Sequence, residues 1–322
     1  MTECKPIVSI VRGKDPYKMV QEAVDLLGGV DRFFSSKDIA FIKPNVCGGI
    51  SGKRGTFTSL KVVSSIASML KRRVRRVAVG EADSSMYQAD EMMMETGVMD
   101  AAKDLDIDVV NLSRGEMVEV KVRDCYVLDS IRLNRTLLES KIISAPVAKT
   151  HITTDVTLNL KNMYGALPEM RKGKYHSKID PIIVDIVKAL PPALCIIDAT
   201  TCLEGEGPFR GDPIELDLIV AGDNAVATDA LMANLMGYDP KKIMHLRLAY
   251  EKGLGPIALD EIDVRGENID DVRREFKKAP KEPYSRRLAK IPGIGHFIVH
   301  YYYENAVKSW KKKPSPQKVD VK

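Results

Sequence analysis

Short apolar runs alternate with helix-spaced stretches along most of the chain. Residues 7–12 (IVSIVR) predict a strand, and residues 16–28 a helix stopped by Gly28-Gly29. Residues 39–45 predict a second strand, followed by a glycine-rich loop and a helix over about 58–72, with Thr56 or Thr58 as its N-cap. A third strand (77–80), a helix (90–105) and a short strand (DVVNL) complete a β-α-β-α-β order, which implies a parallel, helix-covered sheet. Between 116 and 133 the pattern becomes strict alternation, so an antiparallel excursion is expected there. Later strands are expected at 194–200, 216–221 and 262–265, with helices at 181–190, 225–236 and after Pro240. The fold class is α/β, with a largely parallel helix-covered sheet in two α/β lobes split near 112–140. Residues 1–276 form the expected core and 277–322 a basic, aromatic extension.

The most informative stretch is 141–165, KIISAPVAKTHITTDVTLNLKNMYG. A strand is expected to end near Pro146 and deliver Lys149, Thr150 and His151. From about Thr154, Val156, Leu160, Met163, Tyr164 and Leu167 fall on one helical face, with Thr157 and Lys161 stacked four apart on another. A helix opening on unpartnered amides beside cations predicts an anion site. Lys149, His151 and His176 are the candidate catalytic residues, since imidazole moves protons near neutral pH and a loop histidine can close over a ligand. Lys43, Asn45, Thr150, Thr157, Lys161 and Asn162 are candidate anion ligands.

Polar residues follow each predicted strand, where open α/β sheets bind ligands. Asp198, Glu204 and Asp223 surround a second glycine loop (Gly205, Gly207, Gly211) and form a candidate site for a hard divalent cation. That loop is one residue too long for a dinucleotide fingerprint and precedes a strand. The first glycine loop has Cys47 where a P-loop needs glycine, and Arg54 after Lys53. Neither supports ATP or NAD. Cys47 and Cys202 read as chance thiols, with no clear histidine partner.

The five cysteines are widely spaced without a CxxC, which argues against a disulfide scaffold, a zinc ribbon or a self-contained iron–sulfur motif. The net charge of +5 is concentrated at the end: from Lys277 onward, 12 Lys/Arg face 3 Asp/Glu, so the remainder is net negative. Nucleic-acid binding by the core is therefore not expected, and binding through the basic tail is a weaker reading. The aromatic and basic stretch 291–313 has the composition of a peripheral membrane or protein contact. No apolar run spans a bilayer, and MTECKPIVSIV lacks a signal-peptide core, so a cytoplasmic location is expected.

The ordered series KPN (43–45), GE (80–81), KTH (149–151), TLNLKNMYG (157–165), His176, Asp198, EGEGPFRG (204–211) and AGDNAVATDA (221–230) resembles the bacterial and archaeal family called domain of unknown function 362. Many of its members carry an attached four-iron, four-sulfur segment. The resemblance implies redox company, but this chain lacks clustered cysteines, so a built-in cluster is not expected and electrons would come from a redox partner protein.

These readings converge on a cytoplasmic enzyme acting on a small anionic metabolite, a carboxylate or phosphate, with metal assistance or a redox link. The alternative is a non-catalytic factor that holds a cofactor or cluster for a partner.

Overall fold

The computed structural model describes residues 4–49, 52–84 and 86–280. The expected contact through 291–313 lies outside the described residues. Twelve strands and ten α-helices are described in this part of the chain. In order they are β1 (Ile7–Arg12), α1 (Pro16–Leu26), β2 (Ile39–Pro44), α2 (Leu60–Leu70), β3 (Arg76–Glu81), α3 (Ala89–Glu95), α4 (Val98–Asp104) and β4 (Asp108–Asn111). Then come β5 (Met117–Lys121), β6 (Ser130–Asn134), α5 (Arg135–Leu138), β7 (Lys141–Ala145), β8 (Val147–His151), β9 (Asp155–Thr157), α6 (Asn159–Met163) and α7 (Ile179–Ala189). The last are β10 (Leu194–Glu204), β11 (Asp212–Gly222), α8 (Ala225–Leu235), α9 (Met244–Glu251), β12 (Asp263–Gly266) and α10 (Ile269–Val272).

A single mixed sheet runs in the order β12-β1-β11-β10-β7-β2-β3-β4, with β8 and β9 attached beside β10. β2, β3, β4, β7 and β10 pair in parallel, and β11 is antiparallel to both its neighbours, β1 and β10. β5 and β6 form a separate antiparallel hairpin, at the expected excursion. Strands from both sides of 112–140 are neighbours in the same sheet. The expected two lobes are thus replaced by one sheet with an inserted hairpin. Asp185 on α7 fastens that insertion by accepting the amides of Tyr126, Val127 and Leu128 at 2.7, 2.8 and 2.9 Å.

Successive side chains along a strand enter opposite layers. Ile142 and Ile197 pack into one core, with residues of α6 to α9, while Ile143 and Ile196 pack into the other, with α1 to α4. Helices therefore cover both faces. The helix expected over 90–105 is two, broken at Gly97, whose φ of 77° suits a residue without Cβ.

The largest departure lies in the informative stretch. Residues 154–157 do not begin a helix: β8 turns through residues 152–154 into β9, and α6 starts at Asn159 and is five residues long. Val156, Leu160, Met163, Tyr164 and Leu167 are all buried as their spacing suggests, but they are shared among a strand, a helix and a 3-10 turn.

Candidate functional site

All strands of the main path except β11 run the same way, so the carboxyl ends of β2 and β3 fall on one edge of the sheet, where β8 also ends. Lys43 and Asn45 come from the end of β2, Glu81 from the end of β3, and Lys149 from β8. Asn162 arrives from α6 and links these parts. Its Nδ2 donates to the Lys43 carbonyl (2.9 Å) and Ser144 Oγ (3.2 Å), and its Oδ1 accepts at 3.5 Å from both Lys43 Nζ and Asn45 Nδ2.

Lys43 is fully buried and pairs with Glu81 at 2.7 Å. Gly165 caps the pair: a Cβ there would stand 2.9 Å from Lys43 Nζ and 3.0 Å from Glu81 Oε1. The carbonyl of Gly165 accepts from Lys172 Nζ at 3.0 Å, and Tyr164 Oη donates to the Lys172 carbonyl at 2.7 Å. Burial, with help from Lys43 and Lys161, holds Lys172 down at about 8.

Lys149 is also fully buried. Its ammonium donates to Thr56 O (2.5 Å), Asn45 Oδ1 (3.1 Å) and Cys47 Sγ (3.6 Å). Burial lowers its pKa, against the opposing pull of Cys47 and Glu81. Thr157 is the register partner of Lys149 across the β8–β9 hairpin, so their side chains share one face. The Thr157 hydroxyl is buried and, among the described residues, has no hydrogen-bond partner. Lys161, four residues on and in α6, is half-buried. Among the described residues its ammonium meets no hydrogen-bond acceptor and lies 4.5 Å from the Tyr164 ring centroid. Burial brings it to about 8. Lys149 and Lys43 push the same way, while Cys47 and Asp180 oppose. Tyr87 completes this side, its phenol pushed well up by burial and by the proximity of Cys47 and Glu81.

Four lysine side chains therefore converge with one carboxylate in direct contact. In a low-dielectric interior such an excess of positive charge favours an anion that restores the balance. Lys43, Asn45, Lys149, Thr157, Lys161 and Asn162 are the residues from the sequence that meet here.

The other candidates are placed elsewhere. Thr150 lies between Lys149 and His151 on β8, so strand alternation turns it away. Its hydroxyl donates to the Gly205 carbonyl at 2.9 Å, tying down the second glycine loop. Gly207 and Gly211 allow that close packing: a Cβ would meet Thr150 O at 1.9 Å and Glu204 O at 2.2 Å, respectively. Gly205 has a φ of 79° and turns the β10–β11 hairpin, so these glycines shape a turn. His151 Nδ1 accepts the amides of Thr153 (3.1 Å) and Thr154 (3.3 Å), which closes the β8–β9 turn and leaves the neutral ring's proton on Nε2. His176 is half-buried on the short helix Lys172–Lys178, four residues beyond Lys172.

The three acids expected to hold a metal are spread along the β10–β11 hairpin. Asp198 accepts the Ser59 amide (2.7 Å) at the start of α2, together with Thr200 N (3.0 Å) and Oγ1 (2.6 Å). Glu204, at the loop end, accepts the Lys277 amide at 2.9 Å. Asp223, at the far end because β11 runs backwards, accepts Ile7 N at 2.9 Å and pairs with Arg32 at 2.6 Å. Among the described residues no group of three or more His, Cys, Asp or Glu side chains could hold a metal ion.

Four contributors lie outside the candidate site residues. Glu81 enters the sequence reading only through the GE pair of the family resemblance and Cys47 as a chance thiol, while Lys172 and Tyr87 carry no signal of their own there. The helix-opening amides were also misjudged. Asp229 on α8 accepts Asn159 N (2.9 Å), Leu160 N (2.8 Å) and Asn159 Nδ2 (2.8 Å). A carboxylate 70 residues away thus fills the place expected for an anionic ligand.

Fold and site together define an α/β protein with a lysine-rich cluster at the carboxyl edge of its sheet. The chain belongs to the family described as domain of unknown function DUF362, whose profile matches residues 40–234. It is 27% identical over 243 residues to the thylakoid-associated protein sll1697 of Synechocystis sp., covering 73% of this chain and 74% of that one. Among solved structures it is similar to the lactate racemase apoprotein from Thermoanaerobacterium thermosaccharolyticum (12% identity, TM-score 0.40, 59% of this chain and 50% of that one). It is also similar to a protein from Thermotoga maritima (14% identity, TM-score 0.35, 76% of this chain and 59% of that one). No helix of the described residues is long and apolar enough to cross a membrane.

Proposed function

We propose that this chain is an enzyme acting on a small anionic metabolite, a carboxylate or phosphate, seated between Lys149, Lys161 and Thr157. One observation carries the reading. Among the described residues an ammonium without an acceptor and a buried hydroxyl without a partner occur beside a second, fully buried ammonium: Lys149 acts electrostatically on Lys161 and is the register partner of Thr157. The Lys161 ammonium and the Thr157 hydroxyl are each costly to leave unpaired, and an oxyanion would serve both, with the buried charge of Lys149, whose own donors are taken by Thr56, Asn45 and Cys47, adding its attraction. Lys161, brought to about 8 in the free chain, is mostly protonated at neutral pH and supplies the cation for the anion, whose binding favours the charged form further. Lys43, Glu81 and Asn162 form the rigid floor that positions these groups. The metal-assisted variant has no support, because the three acids are held apart by the hairpin.

The test is a thermal-shift screen of the purified chain against inorganic phosphate, sulfate, malonate and other small carboxylates. A concentration-dependent rise in melting temperature, lost in Lys161→Met, is expected. An unchanged transition across the whole panel would remove the reading.

A further inference from the structure

Cys47 stands half-buried where the first glycine loop crosses the site. Its thiol donates to Asn45 Oδ1 at 3.2 Å, and Lys149 Nζ lies 3.6 Å from its sulfur. Asn45 Oδ1 also accepts from Lys149, at 3.1 Å, so one amide oxygen fixes both thiol and amine. Lys149 has its three donors directed at Thr56 O, Asn45 Oδ1 and Cys47 Sγ. Loss of a proton from its nitrogen frees one lone pair, and the thiol is the one partner of the three that carries a proton to give. The Thr157 hydroxyl, buried and unpartnered among the described residues, is the register partner of Lys149 across the hairpin, so an unfilled hydrogen-bonding position lies on the face from which Lys149 reaches the thiol.

We propose that Cys47 is the nucleophile of this site, with Lys149 receiving its proton, and that its substrates are small anions with an electrophilic carbon next to the charged group. The inference rests on the anion reading above, because Lys161 and Thr157 must hold the charged group for the carbon to reach the sulfur. The sulfur–carbon bond forms while the bond to the leaving group breaks. The bonding pair departs with that group, or moves onto oxygen when the carbon is a carbonyl. The thiol proton passes to the Lys149 amine, whose neutral form burial favours.

Two alkylating agents of nearly equal size separate these statements. Iodoacetate is an anion and iodoacetamide is neutral, and each loses iodide to a thiol. Rates at individual cysteines are read by peptide mass spectrometry, with exposed Cys4 as the internal reference. Cys47 is expected to react faster than Cys4. It should favour iodoacetate by about tenfold relative to the preference at Cys4, a gain typical of a cationic cleft, and Lys161→Met should abolish that preference. If Cys47 is no faster than Cys4 with either reagent while phosphate or malonate still raises the melting temperature, the nucleophile is wrong and the anion site stands. If Cys47 reacts fast but shows the same reagent preference as Cys4, the anion reading is wrong and the activated thiol stands.

Discussion

Lys43 Nζ lies 2.7 Å from both carboxylate oxygens of Glu81, and both side chains are buried. Removing one partner leaves an uncompensated charge in the interior, which costs roughly 3–5 kcal/mol. Glu81→Gln is therefore expected to lower stability by that order, as measured by urea denaturation. A loss below about 1 kcal/mol, the range of exposed pairs, would mean that the pair does not hold the floor of the site.

Gly165→Ala tests the same floor by shape. The added methyl would press on the Lys43–Glu81 pair. Overpacking of a closed site costs about 1–3 kcal/mol. Urea denaturation should show that loss, and a thermal-shift titration with phosphate should show weaker binding. Unchanged values in both would place the ion pair away from this backbone.

Thr157→Val should separate stability from binding. The hydroxyl is buried without a partner, so replacing it by a methyl removes a desolvation penalty of about 1 kcal/mol or more. The variant should melt higher than the parent yet respond less to phosphate or malonate. A variant that melts lower would show that the hydroxyl already has a partner in the free protein.

The pH dependence follows from Lys161 and Lys172, both held by burial near 8, below the usual lysine value of about 10.4. As pH rises through 8 the folded chain gives up these protons while the unfolded chain keeps them. The unfolded state then binds more protons, so these two groups make the free protein more stable between roughly pH 8 and 10. Anion affinity should move the opposite way, falling above pH 8 as the cations are lost. Titration of binding from pH 6.5 to 9.5 checks this, and Lys161→Met should flatten most of the slope. An affinity independent of pH would remove Lys161 from the ligand contacts.

Asp198→Ala distinguishes a cap from a metal ligand. Asp198 accepts the Ser59 amide at the start of α2, and losing such a cap costs about 1–2 kcal/mol. Stability should fall by that order while phosphate response persists. Selective loss of binding with unchanged stability would restore Asp198 to the site.

Much of this was legible along the chain. The strand endings at Lys43 and Glu81 were visible because apolar runs stop there, and β1, α1, β3, the 117–134 hairpin and α8 follow their local periodicity closely, whereas Lys149, expected just past a strand, lies in the middle of β8. The region 154–163 was not. Its apolar residues keep helical spacing while Val156 sits in a strand, since burial there is decided by the neighbouring layers. Nor can spacing show that Asp229 reaches the amides of Asn159 and Leu160, or that Glu81 neutralises Lys43 across 38 residues. The acids at 198, 204 and 223 looked like one cluster because they flank a glycine loop. That loop proved to be the turn of two eleven-residue strands, which carries the acids apart.

The most direct test is calorimetric titration of inorganic phosphate and malonate into the full chain at pH 7, beside Lys161→Met. Saturable one-to-one binding, weakened at least tenfold (about 1.4 kcal/mol) in the variant, is the expected result. Equal affinity in both proteins, or no heat in either, would contradict an anion seated between Lys149 and Lys161.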